Sequence, residues 1–208
     1  MEIWKPLSVR EIQNIFKGIP VEWWIAGGWA IDLFLGEITR EHEDIDVVIL
    51  RKDHLTIQKH LEEEWDLYKA VKGELITWKK NETLLSSYDN IWVKKKGSST
   101  WAFQVMIFDT DENKWVYKRK KTIKLPLEEI GLQTTTSVPY LRPEIQLLYK
   151  GGSSLIREKD HYDLHSVLPK LCISKWRWLR DSLNDQFPEG HEWMDYINHR
   201  EEGGKPFD

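Results

Sequence analysis

The sequence predicts an α+β protein in which a mixed β-sheet flanked by helices is followed by a helical C-terminal part. Three observations support this class. Residues 44–50 and 100–108 are apolar runs rich in β-branched and aromatic side chains, as expected of buried strands. Residues 8–19 carry apolar side chains at helical spacing. Helical patterns alone recur near the end, which predicts a main domain over 1–138 and a helical subdomain over 139–208.

The first third of the chain alternates predicted helices and strands. Ser8, followed by Glu11 three residues later, is the pattern of a capped helix start. Residues 21–28 form a short apolar run that ends in two glycines, which predicts a buried strand. Residues 28–36 then predict a buried helix that ends at a glycine, and residues 52–65 predict another helix.

The middle of the chain predicts an antiparallel extension of the sheet, because short apolar runs alternate there with turn residues. The four runs are 74–78, 90–96, 100–108 and 114–119. After residue 139 the spacing of apolar residues is helical, with a proline placed for a first turn. The four predicted helices are 142–152, 157–171, 174–187 and 191–200.

Composition limits the classes of function. The chain has 208 residues, of which 40% are hydrophobic and 31% charged, as in ordinary globular proteins. A net charge of −4 argues against a long nucleic-acid partner, because such proteins are usually basic. With one cysteine, Cys172, no disulfide can form within the chain, which suits the cytoplasm. No apolar run reaches the roughly 20 residues of a membrane span.

Two aspartates, Asp44 and Asp46, stand one residue apart at an apolar strand. Residues i and i+2 of a strand project from the same face, so the two carboxylates are predicted to lie together. Carboxylates held so close repel each other unless a cation lies between them. Mg²⁺ is the expected ion, because it takes oxygen ligands and retains coordination positions for substrate phosphates.

Gly27 and Gly28 end a predicted strand and begin a predicted helix. Without side chains they allow a ligand to approach the backbone, and the start of a helix offers free N–H groups to phosphate. The glycine pair alone is common in turns, and the Asp44–Asp46 pair alone is common at strand ends. Together, with a buried helix between them, they indicate metal-assisted phosphoryl or nucleotidyl transfer.

Residues 25–51 resemble the nucleotidyltransferase superfamily with the DNA polymerase β-type fold. The resemblance is carried by "GGWAID", Gly36 and "TREHEDID", and it extends more weakly to "PYLRPEIQLLYK", "REKDHYD" and "HEW". Within the superfamily, the sequence is most similar to the group of aminoglycoside 2″-adenylyltransferases and lincosamide nucleotidyltransferases. The resemblance implies a polymerase-β-like core and a transferase that uses a nucleoside triphosphate, with AMP from ATP as the expected donor group.

The resemblance also implies roles for individual residues. Asp44 and Asp46 would bind one or two Mg²⁺ ions and align the α-phosphate for attack by a hydroxyl of a small acceptor, such as an aminoglycoside or a lincosamide. The nucleotide would be bound by residues from three segments, namely Gly27, Gly28 and Trp29, then Arg40 and His42, and finally Lys150. Arg40 and His42 are equally compatible with surface or loop-bracing positions.

The sequence departs from the family at the third carboxylate, which in such enzymes lies on a later strand as a metal ligand and often as the general base. The corresponding strand places Gln104 there, with Ala102 and Met106 on the same face. A glutamine can ligate a metal through its carbonyl oxygen but cannot take up a proton. Asp89 and Asp109 are the alternative sources of the missing carboxylate.

The helical part contains further charged residues. Asp160 and Asp163 lie on one face of a predicted helix, either in solvent or beside Lys150 and Lys159 at the phosphates. His161 and His165 have a zinc-compatible spacing, but no third ligand accompanies them in the sequence, so zinc is not expected.

The sequence is also compatible with two alternative functions. In the first, the acceptor is RNA or a protein, and the basic clusters 94–96 and 118–121 bind it. In the second, the protein binds a nucleotide but has lost catalysis together with the third carboxylate. An aminoglycoside acceptor would favour an acidic cleft, for which the candidate acids are Glu41, Glu43, Asp89, Glu128 and Glu129.

Overall fold

The computed structural model describes residues 3–202, in which one mixed β-sheet of ten strands is flanked by helices. The strands are β1 Trp23–Ala26, β2 Asp46–Leu50, β3 Trp65–Val71, β4 Glu74–Thr77, β5 Asn90–Lys95, β6 Phe103–Asp111, β7 Lys114–Val116, β8 Lys124–Pro126, β9 Gly131–Gln133 and β10 Pro139–Leu141. The order across the sheet is β4-β3-β5-β6-β2-β1-β10-β9, and β7 and β8 continue from β6. This architecture confirms the predicted α+β class.

Seven α-helices are assigned within the described residues. They are α1 Val9–Ile15, α2 Gly27–Leu35, α3 His54–Leu61, α4 Pro143–Gly151, α5 Glu158–Val167, α6 Ile173–Gln186 and α7 Met194–Glu202. The sequence signals for their ends are confirmed at two helices. Ser8 and Glu11 form a complete capping box on α1, and Gly36 ends α2 in the left-handed conformation.

The mixed character of the sheet comes from two parallel pairs. Strand β2 is parallel to β6, with Asp46 opposite Gln104, and β1 is parallel to β10. Strands β3, β4 and β5 extend this core with antiparallel pairs, as predicted. Strand β3 was not predicted, because Asp66 and Lys69 interrupt its apolar residues. Its first residue, Trp65, was wrongly assigned to the end of the helix predicted over 52–65.

Among the helices after residue 142, α4 contacts α2, α5 and α6, and α2 in turn contacts strands β1 and β10. Several tryptophans fill this interior, and Trp115, Trp176 and Trp193 are almost completely buried. The predicted boundary at residues 138 and 139 falls next to β10, whose Tyr140 lies opposite Ile25 in the sheet. The division into two domains therefore stays a prediction. The first two residues of the first predicted domain and the last six of the second lie outside the described residues.

One local prediction was wrong. The strand that was expected from residue 44 begins at Asp46, so Asp44 lies in the preceding loop rather than on the same strand. Both aspartates still line one cavity, Asp44 from the loop and Asp46 from the first position of β2. Separately, within residues 3–202, no helix has the length and apolar character needed to cross a membrane.

Candidate active site

A cavity of about 420 Å³ opens where the start of β2, the start of α2 and the segment from α4 to α5 meet. It contains most of the residues predicted for the site. Its lining consists of Gly27, Gly28, Arg40, His42, Asp44, Asp46, Asn90, Gln104, Met106, Arg119, Gln146, Tyr149, Lys150, Ser153, Leu155, Arg157, Lys159 and Asp160.

Asp44 and Asp46 both line this cavity. Burial and the negative charge of Asp44 raise the pKa of Asp46 to about 7, although Lys150, Arg157 and Lys159 act against the shift. A carboxylate that is hard to ionise beside another carboxylate is a site where a bound cation would be strongly favoured.

The glycines at the start of α2 are required by close neighbours. Gly27 has a φ of 66°, and a Cβ atom built on it would overlap the Asp46 carboxylate. A Cβ built on Gly28 would overlap the side chains of Arg40 and His42 instead. The side chains of Arg40 and His42 already occupy the space beside the Gly28 Cα. This crowding is a second reason for a glycine there, besides the expected approach of a ligand.

Gln104 faces the cavity, as the predicted strand register requires. It lies opposite Asp46 in the β2–β6 ladder, and its Nε2 donates to Asp44 Oδ2 at 3.4 Å. The two alternative carboxylates are engaged elsewhere, since Asp89 pairs with Lys118 and Asp109 pairs with Arg51. Within the described residues, no group of three or more Asp, Glu, His or Cys side chains could hold a metal ion.

The donor atoms present nonetheless fit a hard divalent cation. Two carboxylates and one carboxamide side chain line one cavity, and carboxylate and carboxamide oxygens are ligands that Mg²⁺ prefers. Such an ion would require Gln104 to turn its oxygen inward, because its amide nitrogen now faces Asp44.

Three cationic side chains from the helical part reach this cavity. Lys150 is buried and forms ion pairs with Asp160 Oδ1 at 3.1 Å and with Asp163 Oδ2 at 2.8 Å. Arg157 donates to both oxygens of Asp160, while Lys159 lies 3.3 Å from Glu43. Burial acts to raise the pKa of Asp160, but the bonds from Arg157 and the charge of Lys150 lower it to about 2.

Arg40 and His42 brace the loop before β2. Arg40 donates to both oxygens of Asp163, at 3.1 Å and 3.0 Å, and its Nη1 lies 3.1 Å from His42 Nδ1. His42 Nε2 lies 2.5 Å from Asp32 Oδ2. Because arginine only donates and a carboxylate only accepts, the proton of this imidazole is on Nε2.

Among the predicted site residues, all of which the structure describes, Trp29 is the one that does not line the cavity. Its ring packs on His42, with centroids 4.6 Å apart. Trp29 therefore contacts a residue of the site rather than the space that a nucleotide would occupy.

Sequence reasoning missed several residues of the site. Gln146 accepts a hydrogen bond from the Gly27 N–H at 2.9 Å, and Asp32 accepts from the backbone and hydroxyl of Thr39. Asp32 is the charged residue of the otherwise apolar helix α2, which was a usable signal, whereas Gln146 lies on a helix that also carries Glu144 and Lys150. Arg119 and Asn90 also line the cavity. Arg119 belongs to the basic cluster 118–121 noted in the sequence, whereas no pattern distinguished Asn90.

Apart from Arg119, the residues of the other polar clusters are absent from the lining of this cavity. Lys94 rests on the rings of Tyr68 and Trp101, and Lys120 pairs with Asp185. The five acids proposed for an acidic cleft are absent from the lining of the cavity that the structure describes. His161 and His165 contact Trp193 and Tyr196, respectively.

Comparisons with known proteins agree with this architecture. A family model described as aminoglycoside-2''-adenylyltransferase matches residues 8–87. A lincosamide resistance protein from Staphylococcus haemolyticus is 25% identical over 167 residues, which cover 75% of this chain and 89% of that protein. A 2''-aminoglycoside nucleotidyltransferase from Escherichia coli is 67% identical over 24 residues, or 12% of this chain and 14% of its own length.

Two solved structures share the fold. The lincomycin-bound lincosamide antibiotic adenylyltransferase LnuA aligns with a TM-score of 0.55 and 18% identity, covering 78% of this chain and 98% of LnuA. The antibiotic-resistance factor ANT(2'')-Ia aligns with a TM-score of 0.57 and 13% identity, covering 92% and 95% of the two chains.

The two solved structures show that this chain has the fold of the nucleotidyltransferases of the DNA polymerase β type, and the family model matches its first part. The predicted resemblance to the group of aminoglycoside 2″-adenylyltransferases and lincosamide nucleotidyltransferases is likewise confirmed.

Proposed function

We propose that this enzyme transfers AMP from ATP, with Mg²⁺, to a hydroxyl group of a small antibiotic of the lincosamide or aminoglycoside type. The observation that carries the proposal is the meeting of Asp44, Asp46 and the start of α2 in one cavity with the buried Lys150 and the more exposed Arg157. A carboxylate pair suits a metal, and a helix start with lysine and arginine suits a triphosphate. The similarity to a lincosamide resistance protein and to a 2''-aminoglycoside nucleotidyltransferase supports an antibiotic as the acceptor.

Asp44, Asp46 and the oxygen of Gln104 would hold the metal. When bound, Mg²⁺ supplies positive charge that offsets the carboxylates and the phosphate oxygens. Lys150 and Arg157 would bind the phosphates, and both are held in place by Asp160 before any ligand arrives. This preorganisation means that little side-chain ordering has to accompany binding.

The acceptor hydroxyl would approach from the side of Gln104. The carboxamide of Gln104, with its oxygen turned to the metal, cannot take up the proton that the hydroxyl loses. The proton would therefore leave to solvent or to a phosphate oxygen. A protein base typically contributes about 10²–10⁴-fold, so transfer without one is slower but not excluded.

The proposal is tested by incubating the purified protein with ATP, Mg²⁺ and either lincomycin or tobramycin, and by measuring pyrophosphate release and the mass of the antibiotic. We expect pyrophosphate release and a product heavier by one AMP. The Asp46→Asn variant should lose both, because one of the two carboxylates is gone. Metal-dependent ATP binding without any product would instead indicate a nucleotide-binding protein without catalysis.

A further inference from the structure

A row of directly paired residues leads away from the aspartates along one face of the sheet. Asp46 lies opposite Gln104, Gln104 lies opposite Trp92, and Trp92 lies opposite Tyr68. Side chains of directly opposite residues project from the same face with Cβ atoms about 5 Å apart. The Trp92 indole is therefore next to the amide at which the acceptor hydroxyl would react.

A second cavity of about 370 Å³ lies beyond this row, under the turn between β3 and β4. Asn90 lines both this cavity and the active-site cavity, so the two adjoin at one side chain. The remaining wall is formed by residues 70–75 and Trp92. A ligand with its hydroxyl at Gln104 would have room to extend past Asn90 into this second cavity.

Two polar atoms at this junction have no partner. Oδ1 of Asn90 and Nε1 of Trp92 are buried without a hydrogen bond. Both atoms are shielded from solvent, and an unpaired buried polar atom is destabilising. A ligand that turned either side chain toward the second cavity and supplied its partner would therefore gain affinity. Both atoms lie on one strand, two residues apart, and one accepts while the other donates.

The surface around them is aromatic. Trp92 is half-buried and packs edge to face against Trp4 and Trp101, with centroids 4.9 Å and 5.3 Å apart. Tyr68 and Met106 continue the same face. Such a surface binds the apolar face of a ring by contact area and not by charge.

The charges around the two cavities do not favour a polycation. The acids of the active-site cavity are Asp44, Asp46 and Asp160, and the last is already paired with Lys150 and Arg157. In the second cavity, Glu74 is matched by Lys72. Several ammonium groups would meet lysines and arginines there, so electrostatics would oppose them.

We propose that Asn90 and Trp92 form the acceptor subsite, and that it selects a ring-bearing amphiphilic acceptor with at most one positive charge. This inference rests on the proposed function and narrows it. Among antibiotic classes, it favours a lincosamide, which has an amide and one basic nitrogen, over an aminoglycoside with several ammonium groups. Trp92 would contact the ring, and Asn90 would hydrogen-bond a polar group beside it.

The test compares Trp92→Leu with Trp65→Leu. Trp65 is also a half-buried tryptophan of the sheet, but it packs against Phe103 on the opposite face, so it controls for loss of an aromatic side chain. Trp92→Leu should raise the KM for lincomycin at least about tenfold, since an aromatic contact and its area are lost. The KM for ATP should change less than about twofold in both variants, and Trp65→Leu should leave the lincomycin KM unchanged.

Asn90→Asp is the second variant, because it keeps the shape of the side chain and adds one negative charge. It should weaken lincomycin binding and improve tobramycin binding, both measured by calorimetry with a non-hydrolysable ATP analogue. Lincomycin binding that depends on Trp92, without any transfer, would support the subsite while contradicting the proposed reaction. An unchanged lincomycin KM in Trp92→Leu, wild-type preference for tobramycin, or binding of neither antibiotic would overturn the subsite.

Discussion

At the scale of single residues, Gln104 has the largest chemical consequence. The strand register predicted from sequence placed its amide beside the aspartates, and the structure confirms that position through the pairing with Asp46 and the bond to Asp44. Compared with the carboxylate that the resemblance implies at this position, the amide gives the proposed metal site one negative charge fewer and supplies no base. Both effects can be measured separately.

We expect Gln104→Glu to tighten Mg²⁺ binding and to raise the transfer rate at least about tenfold, because it restores a charged ligand and a proton acceptor. Without metal, the variant should unfold at a lower temperature than the wild type, since a third carboxylate would face Asp44 and Asp46. Calorimetry with Mg²⁺ and the rate of pyrophosphate release check the two effects.

Gln133→Glu is a suitable control, because Gln133 is an exposed strand glutamine on β9. It adds the same charge away from the site and should change neither property. Equal Mg²⁺ affinity and equal rate in Gln104→Glu and the wild type would show that position 104 takes no part in metal binding or proton transfer.

At the scale of elements, the sequence predicted well wherever a local rule decides the structure. The glycines that end β1 and begin α2, and the cap of α1, follow from backbone freedom and from a capping box. Asp44 was misplaced because strand ends depend on pairing partners, which the local pattern does not reveal. Lys150 was predicted at the site, but its pairing with Asp160 and Asp163 is tertiary and could not be read from spacing.

The turn from β1 into α2 provides a test of what Gly27 does. Gly27→Ala should cost stability through its left-handed backbone and should also displace the Asp46 carboxylate, which the new Cβ would overlap. Gly18→Ala is the matched control, because Gly18 has a φ of 76° but meets no atom within 4 Å. Each variant should lose about 1–2 kcal/mol through backbone strain.

Transfer activity separates the two glycine variants. Gly27→Ala should lower kcat/KM at least about tenfold, whereas Gly18→Ala should leave it near the wild-type value. Urea unfolding and steady-state kinetics measure the two quantities. If both variants lost activity in proportion to stability alone, the proximity of Gly27 to Asp46 would have no functional meaning.

At the scale of the whole molecule, the active-site cavity is shared by the two predicted domains. Asp44, Asp46 and Gln104 come from the first, while Lys150 and Arg157 come from the second. The buried pair of Arg40 with Asp163 joins the same two parts of the chain, and so does the exposed pair of Lys120 with Asp185. The coupling energy between the two parts of the chain can therefore be measured for one buried and one exposed ion pair.

A double-mutant cycle of Arg40→Met and Asp163→Asn, followed by urea unfolding without ligand, should give a coupling of roughly 1–3 kcal/mol. The reason is burial, since the side chains of Arg40 and Asp163 are 19% and 1% exposed and two hydrogen bonds join them. In the cycle of Lys120→Met and Asp185→Asn, the side chains are 36% and 43% exposed, so water and salt should screen the pair. That coupling should be close to zero and vanish at high salt. If the two cycles gave the same coupling, the buried pair would not be what fixes the helical part, with Lys150 and Arg157, against the aspartates of the sheet.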